Sequence, residues 1–123
     1  DQQSPYEVWH EKLTRLLDDV KQYTEREKVI FTLDHEGGRV HRCPPPITKF
    51  PPAAHYAPFS DVVGEAMAVE LRSLGINLSW APLADIHSNP NNPIIGDRAL
   101  GTTPEEVSFH AVALARALAR NGL

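Results

Sequence analysis

The side chains best able to do chemistry crowd into Asp34-His35-Glu36-Gly37-Gly38-Arg39-Val40-His41-Arg42. Immediately before them the apolar run Val29 to Leu33 ends abruptly at Asp34. A strand that delivers an acid into a glycine-bearing turn fixes the carboxylate, and the glycines let backbone approach a ligand closely. A second acid, Asp85, follows a second apolar run, and Arg98 lies in the loop beyond it. Carboxylates accept hydrogen bonds from pairs of hydroxyls, and guanidinium groups donate in a fixed fork. Converging on one face, such a set suits a ligand with many hydroxyls. Plainer roles compete. Asp85 could fix its own loop by accepting backbone N–H bonds, and Arg98 could pair with neighbouring Asp97.

Glu36 could act as a general acid or base, and two carboxylates flanking a glycosidic bond are the hydrolase arrangement. Asp34 and Glu36 would point to opposite faces if the strand continued, so the glycine pair must bend the chain for them to cooperate. Other chemistries find less support. The histidines near this segment (His35, His41, His55 and His87) lack a metal-ligand spacing such as His-Glu-x-x-His, so no metal site is expected. Gly37-Gly38 is not a dinucleotide fingerprint, and there is no phosphate-binding loop or nucleophile elbow. Cys43 is the single cysteine and precedes three prolines, which rules out an intrachain disulfide. The net charge of −4 argues against nucleic acid or an anionic membrane as partner. No apolar run approaches the roughly 18 residues of a membrane span.

Three helices and two strands must position these groups. Ser4-Pro5-Tyr6-Glu7 reads as a capping box with proline at the first helical position, followed by Val8, Leu13, Leu16, Leu17 and Val20 at helical spacing to about Thr24. A second helix is expected from about Ser60 to Leu74, with Gly75 as its C-terminal glycine. A third starts at the capping box Thr103-Pro104-Glu105-Glu106 and closes at Asn121-Gly122. The runs Val29 to Leu33 and Ile76 to Leu83 read as parallel strands buried on both faces, joined by a right-handed crossover. Six prolines in residues 44–58 predict neither helix nor central strand there. Both long loops, 44–58 and 87–101, follow strand C-termini, the edge where open α/β sheets and α/β barrels hold ligands. Two strands are too few to cover three amphipathic helices, so the chain reads as part of a larger α/β unit.

The linked motifs resemble family three glycoside hydrolases, and the bacterial β-N-acetylglucosaminidase branch in particular. Asp34 through Arg42 resembles its D-x-E-G-G-R-V-x-R motif. Phe50-Pro51-Pro52-Ala53 and Glu70-Leu71-Arg72-Ser73-Leu74-Gly75-Ile76-Asn77 are similar to its L-P-A and E-L-R-x-L-G-I-N segments. Ala81-Pro82-Leu83-Ala84-Asp85-Ile86 through Asn89-Pro90, then Asn92-Pro93-Ile94-Ile95-Gly96-Asp97-Arg98 and Gly101, resembles its A-P-V-x-D…N-P-x-N-P-V-I-G-x-R-S-F-G stretch. Ala99-Leu100 stands where that pattern has Ser-Phe, and the stretch between Ala54 and Val62 is shorter than the family pattern.

The resemblance implies a partial (β/α)₈ TIM barrel containing early strands and helices only. Residues 1–123 would be part of one barrel domain, incomplete at both ends, that needs the remainder of the barrel to fold. It implies retaining hydrolysis of terminal β-linked N-acetylglucosamine, from muropeptide or chitooligosaccharide substrates, with no cofactor. Asp34, Arg42 and Arg98 fall on sugar-contacting positions. The nucleophilic aspartate and the acid/base histidine are expected beyond Leu123, so none of these residues is assigned a catalytic role. A family three β-glucosidase or β-xylosidase, or a non-catalytic carbohydrate-binding fragment, are the alternatives.

Overall fold

Proline placement and helix caps decide where the helices start. The computed structural model describes residues 5–26 and 28–123. Helix α1 spans Tyr6–Thr24 with Pro5 at its N-cap. Proline therefore sits one position before the first helical residue, and Ser4 lies outside the described residues. Of the expected stripe only Leu17 is buried and Leu13 packs partly covered against the core, as does Trp9 outside the stripe. The Trp9 indole Nε1–H donates to the Pro45 carbonyl at 3.0 Å, which ties α1 to the proline-rich loop.

Strand β1 covers Thr32–Leu33 and strand β2 covers Leu78–Ser79. They pair in parallel, Thr32 opposite Leu78 and Leu33 opposite Ser79. Both are shorter than the apolar runs predict. Ahead of β1 the Asn77 side chain replaces the ladder. Its Oδ1 accepts from the Phe31 N–H at 2.9 Å, and its Nδ2 donates to the Val29 carbonyl at 2.8 Å. After β2 the Ala81 N–H donates to Ser79 Oγ at 3.1 Å, and Pro82 has no N–H to continue pairing.

The proline-rich segment corrects the sequence expectation. It contains helix α2, Ala53–Tyr56, followed by a 3₁₀ turn at Ala57–Phe59. Pro52 occupies the α2 N-cap and Pro58 the first turn of the 3₁₀ segment. At those positions the missing N–H has no intrahelical acceptor to lose, so proline starts a helix without breaking one.

Helix α3, Ser60–Ser73, ends before Gly75, which adopts φ +83°. Helix α4, Pro104–Arg120, begins with the complete reciprocal capping box of Thr103 and Glu106. Three hydrogen bonds to its carboxylate, the Thr102 N–H first, hold Glu106 below the usual carboxylate range. Helices α3 and α4 bury Met67, Leu71 and Leu114 completely. They pack tightly at Gly64, where an added Cβ would lie 2.8 Å from Ala117 Cβ. No helix among the described residues is long and apolar enough to cross a membrane.

Candidate functional site

The turn after β1 owes its shape to two glycines. Gly37 has φ +94° and Gly38 φ +54°, and a Cβ on Gly37 would lie 2.5 Å from the Pro51 carbonyl oxygen. A side chain would meet both backbone strain and a collision there. Glycine lets the Gly38 N–H reach the Phe50 carbonyl at 2.9 Å, while the Glu36 N–H reaches the Val40 carbonyl at 2.9 Å. The bend buries His35 and Glu36 and leaves Asp34 facing solvent, partly covered.

Asp34 Oδ2 lies 3.5 Å from Arg42 Nη2, with both side chains about half exposed (47% and 50%). So loose and solvated a pair contributes about 1 kcal/mol or less, which leaves both groups free to bind something else.

Arg98 is held differently. Its Nε–H donates to Glu36 Oε2 and its Nη2–H to Glu36 Oε1, both at 2.9 Å. The side chains are only 20% and 9% exposed. Arg98 thus pairs with Glu36, 62 residues away, and its neighbour Asp97 takes no part in that fork. Hydrogen bonding to Glu36, with the fields of Glu36, Asp34 and Asp85, raises the Arg98 pKa above the usual guanidinium range. Both Glu36 oxygens accept from Arg98, so Glu36 anchors the guanidinium and does not stand free as a general acid or base. Arg98 Nη1–H also donates to the Ile94 carbonyl at 3.2 Å. Arg39 crosses between the loops as well, its Nη2 donating to the Ile94 and Ile95 carbonyls.

His35 is fully buried, with ring centroids 4.7 Å from His41. Its Nδ1 accepts the Arg42 N–H at 3.3 Å, which places the proton of the neutral ring on Nε2. Burial, with His41 and Arg42 nearby, pushes its pKa down to about 4. A ring that is neutral at physiological pH can support Arg42 without repelling it. Burial likewise raises the Cys43 thiol to about 11, an inert state for a thiol. Among the described residues no group of three or more His, Cys, Asp or Glu side chains is arranged to hold a metal ion. Asp85 is exposed, six residues beyond the end of β2.

Two arginine crossings therefore tie the turn after β1 to the loop after β2. Residues 6–123 match the model of the glycosyl hydrolase family 3 N-terminal domain. The chain belongs to that family. A β-hexosaminidase of Methylococcus capsulatus is 40% identical over 109 residues, covering 80% of this chain and 31% of that protein. The NagZ structure of Neisseria gonorrhoeae in complex with N-trifluoroacetyl-D-glucosamine superposes with a TM-score of 0.81 at 31% identity, covering 93% of this chain and 37% of that one. A family 3 β-N-acetylglucosaminidase from Paenibacillus gives the same score and identity, over 93% of this chain and 23% of that one. The chain thus spans about a third of the length of the curated relative. The glycosyl hydrolase family 3 N-terminal domain is of the TIM-barrel type, and the α/β arrangement here is part of such a barrel.

Sequence reasoning missed one member of the site. Tyr56, 3% exposed, donates its hydroxyl to the Glu36 carbonyl at 2.9 Å. Arg39 fastens the first loop to the second. Tyr56 carries no spacing signal, because its partner is a backbone carbonyl 20 residues away, whereas Arg39 stands in the motif itself.

Proposed function

We propose that this chain supplies the sugar-binding part of a retaining glycoside hydrolase that removes terminal β-linked N-acetylglucosamine. The observation that carries the reading is the half-exposed Asp34–Arg42 pair, set in the loop that Glu36 fastens to Arg98. Asp34 accepts from a pair of sugar hydroxyls, and Arg42 and Arg98 donate to sugar oxygens. The names of the relatives support N-acetylglucosamine over other sugars.

Residues 1–123 act as part of a single barrel domain, and the remaining elements cover side chains such as Ile30 and Trp80, which are 70% and 67% exposed beside the two strands. The nucleophile and the acid/base group belong to those elements. The nucleophile attacks the anomeric carbon while the acid protonates the leaving oxygen, and the same group later activates water. Contacts to ring hydroxyls that tighten in the oxocarbenium-like transition state supply several kcal/mol in this class. Muropeptides and chitooligosaccharides are the substrate types that present such an end. The test is to compare aryl N-acetyl-β-glucosaminide with aryl β-glucoside and β-xyloside on the full-length protein. Preference for the N-acetylated substrate is expected, and preference for either of the others would overturn the reading.

A further inference from the structure

Arg98 can present its guanidinium to a ligand only if the rest of the molecule orients it. A guanidinium has five N–H donors. Two are committed to Glu36 and one to the Ile94 carbonyl. One hydrogen on Nη1 and one on Nη2 have no hydrogen-bond acceptor among the described residues.

Glu36 is itself immobilised. It is 7% exposed, its N–H donates to Val40, and its carbonyl accepts the buried Tyr56 hydroxyl. Tyr56 lies in α2, whose place is set by Pro52 at the N-cap and by the buried Ala53 and Ala57. The chain of support runs from the proline-led helix, through Tyr56 to Glu36, and through the carboxylate fork to Arg98.

We propose that Glu36 is the positioning residue of the sugar site, with Tyr56 as its brace, and that the pair fixes the two spare Arg98 donors before a sugar arrives. This rests on the reading of Arg98 as a sugar contact. A long arginine side chain ordered in advance loses little rotamer freedom on binding, which is the advantage of preorganisation. Glu36 touches no substrate in this assignment, and its whole effect passes through Arg98.

The experiment uses the full-length protein, an aryl N-acetyl-β-glucosaminide, and four variants: Glu36→Gln, Tyr56→Phe, Arg98→Ala and Glu36→Gln/Arg98→Ala. Glutamine keeps the size of Glu36 but sets an NH₂ group against one guanidinium donor. Losing one charged hydrogen bond that orders the binding group is expected to raise KM about tenfold or more. Tyr56→Phe, which removes only the brace, raises KM in the same direction by less. In the Arg98→Ala background, Glu36→Gln adds at most about a twofold further change, because the group it positioned is gone. A purely structural role would reduce the amount of active enzyme, and so apparent kcat, and leave KM alone. An unchanged KM in Glu36→Gln and Tyr56→Phe, or a Glu36→Gln effect undiminished in the Arg98→Ala background, would overturn the assignment while the glycosidase reading stood. A wild-type protein without turnover would overturn both.

Discussion

Replacing Gly37 by alanine tests whether the turn that presents Asp34 and Glu36 is held by backbone geometry. The control is Gly96→Ala. Both glycines have positive φ, +94° and +49°, but they differ in what surrounds them. Nothing lies within 4 Å of a Cβ built on Gly96, whereas one on Gly37 would be 2.5 Å from the Pro51 carbonyl oxygen. Gly96→Ala should therefore cost only the backbone term, about 1 kcal/mol. Gly37→Ala carries a backbone term of about 1–2 kcal/mol, because its φ lies beyond the usual left-handed well. To it is added an overpacking term of about 1–3 kcal/mol, since a carbonyl oxygen belonging to backbone cannot rotate away. Relieving the collision also pulls the Gly38 N–H from the Phe50 carbonyl, now 2.9 Å apart, for about 1 kcal/mol more. The sum is on the order of 4 kcal/mol, about 3 kcal/mol more than Gly96→Ala. Urea denaturation of the two full-length variants reads this difference directly. Equal unfolding free energies would refute the argument, since the collision would then be absorbed at no cost. Turnover in the folded fraction should also fall for Gly37→Ala, because Asp34 and Glu36 ride on the displaced turn.

Two further outcomes follow from the packing. His35 has an ordinary pKa of 6.5 when unfolded and about 4 when folded, so the unfolded chain binds a proton that the native ring refuses between those values. Its contribution is complete above pH 6.5 and is progressively lost as pH falls toward about 4. The urea midpoint should decline over that window, and His35→Gln should flatten that part of the profile; superimposable profiles would contradict the burial argument. Gly64→Ala should destabilise by about 1–3 kcal/mol through overpacking of α3 on α4. Adding Ala117→Gly should recover part of the loss, because the nearest obstruction is Ala117 Cβ at 2.8 Å; a double variant no better than the single would point to Leu114 as the blocking group.

Local signals were the legible ones. The Thr103–Glu106 capping box, the C-terminal Gly75 and the parallel pairing of two apolar runs all depend on residues close in sequence or on continuous hydrophobicity, and all three appear. Strand length did not follow from apolar runs, because a single side chain, Asn77, takes over the hydrogen bonds ahead of β1. Counting prolines hid α2, because what matters is whether proline falls at a helix start, as Pro52 does, or inside one. The motif identified Asp34, Arg42 and Arg98 as candidates, and the structure joins Asp34 to Arg42. The partner of Arg98 was not legible. Glu36 and Asp97 are equally good carboxylates on paper, and only the fold brings the more distant one to 2.9 Å. Tyr56 acts through a backbone carbonyl, which leaves no trace in side-chain chemistry.

We propose that the half-exposed Asp34 carboxylate binds sugar hydroxyls. The most direct measurement is kcat/KM of full-length Asp34→Ala for an aryl N-acetyl-β-glucosaminide, with folding checked by circular dichroism. Loss of hydrogen bonds from a charged group to two hydroxyls predicts a fall of about a hundredfold or more. A folded Asp34→Ala protein with wild-type kcat/KM would contradict the account.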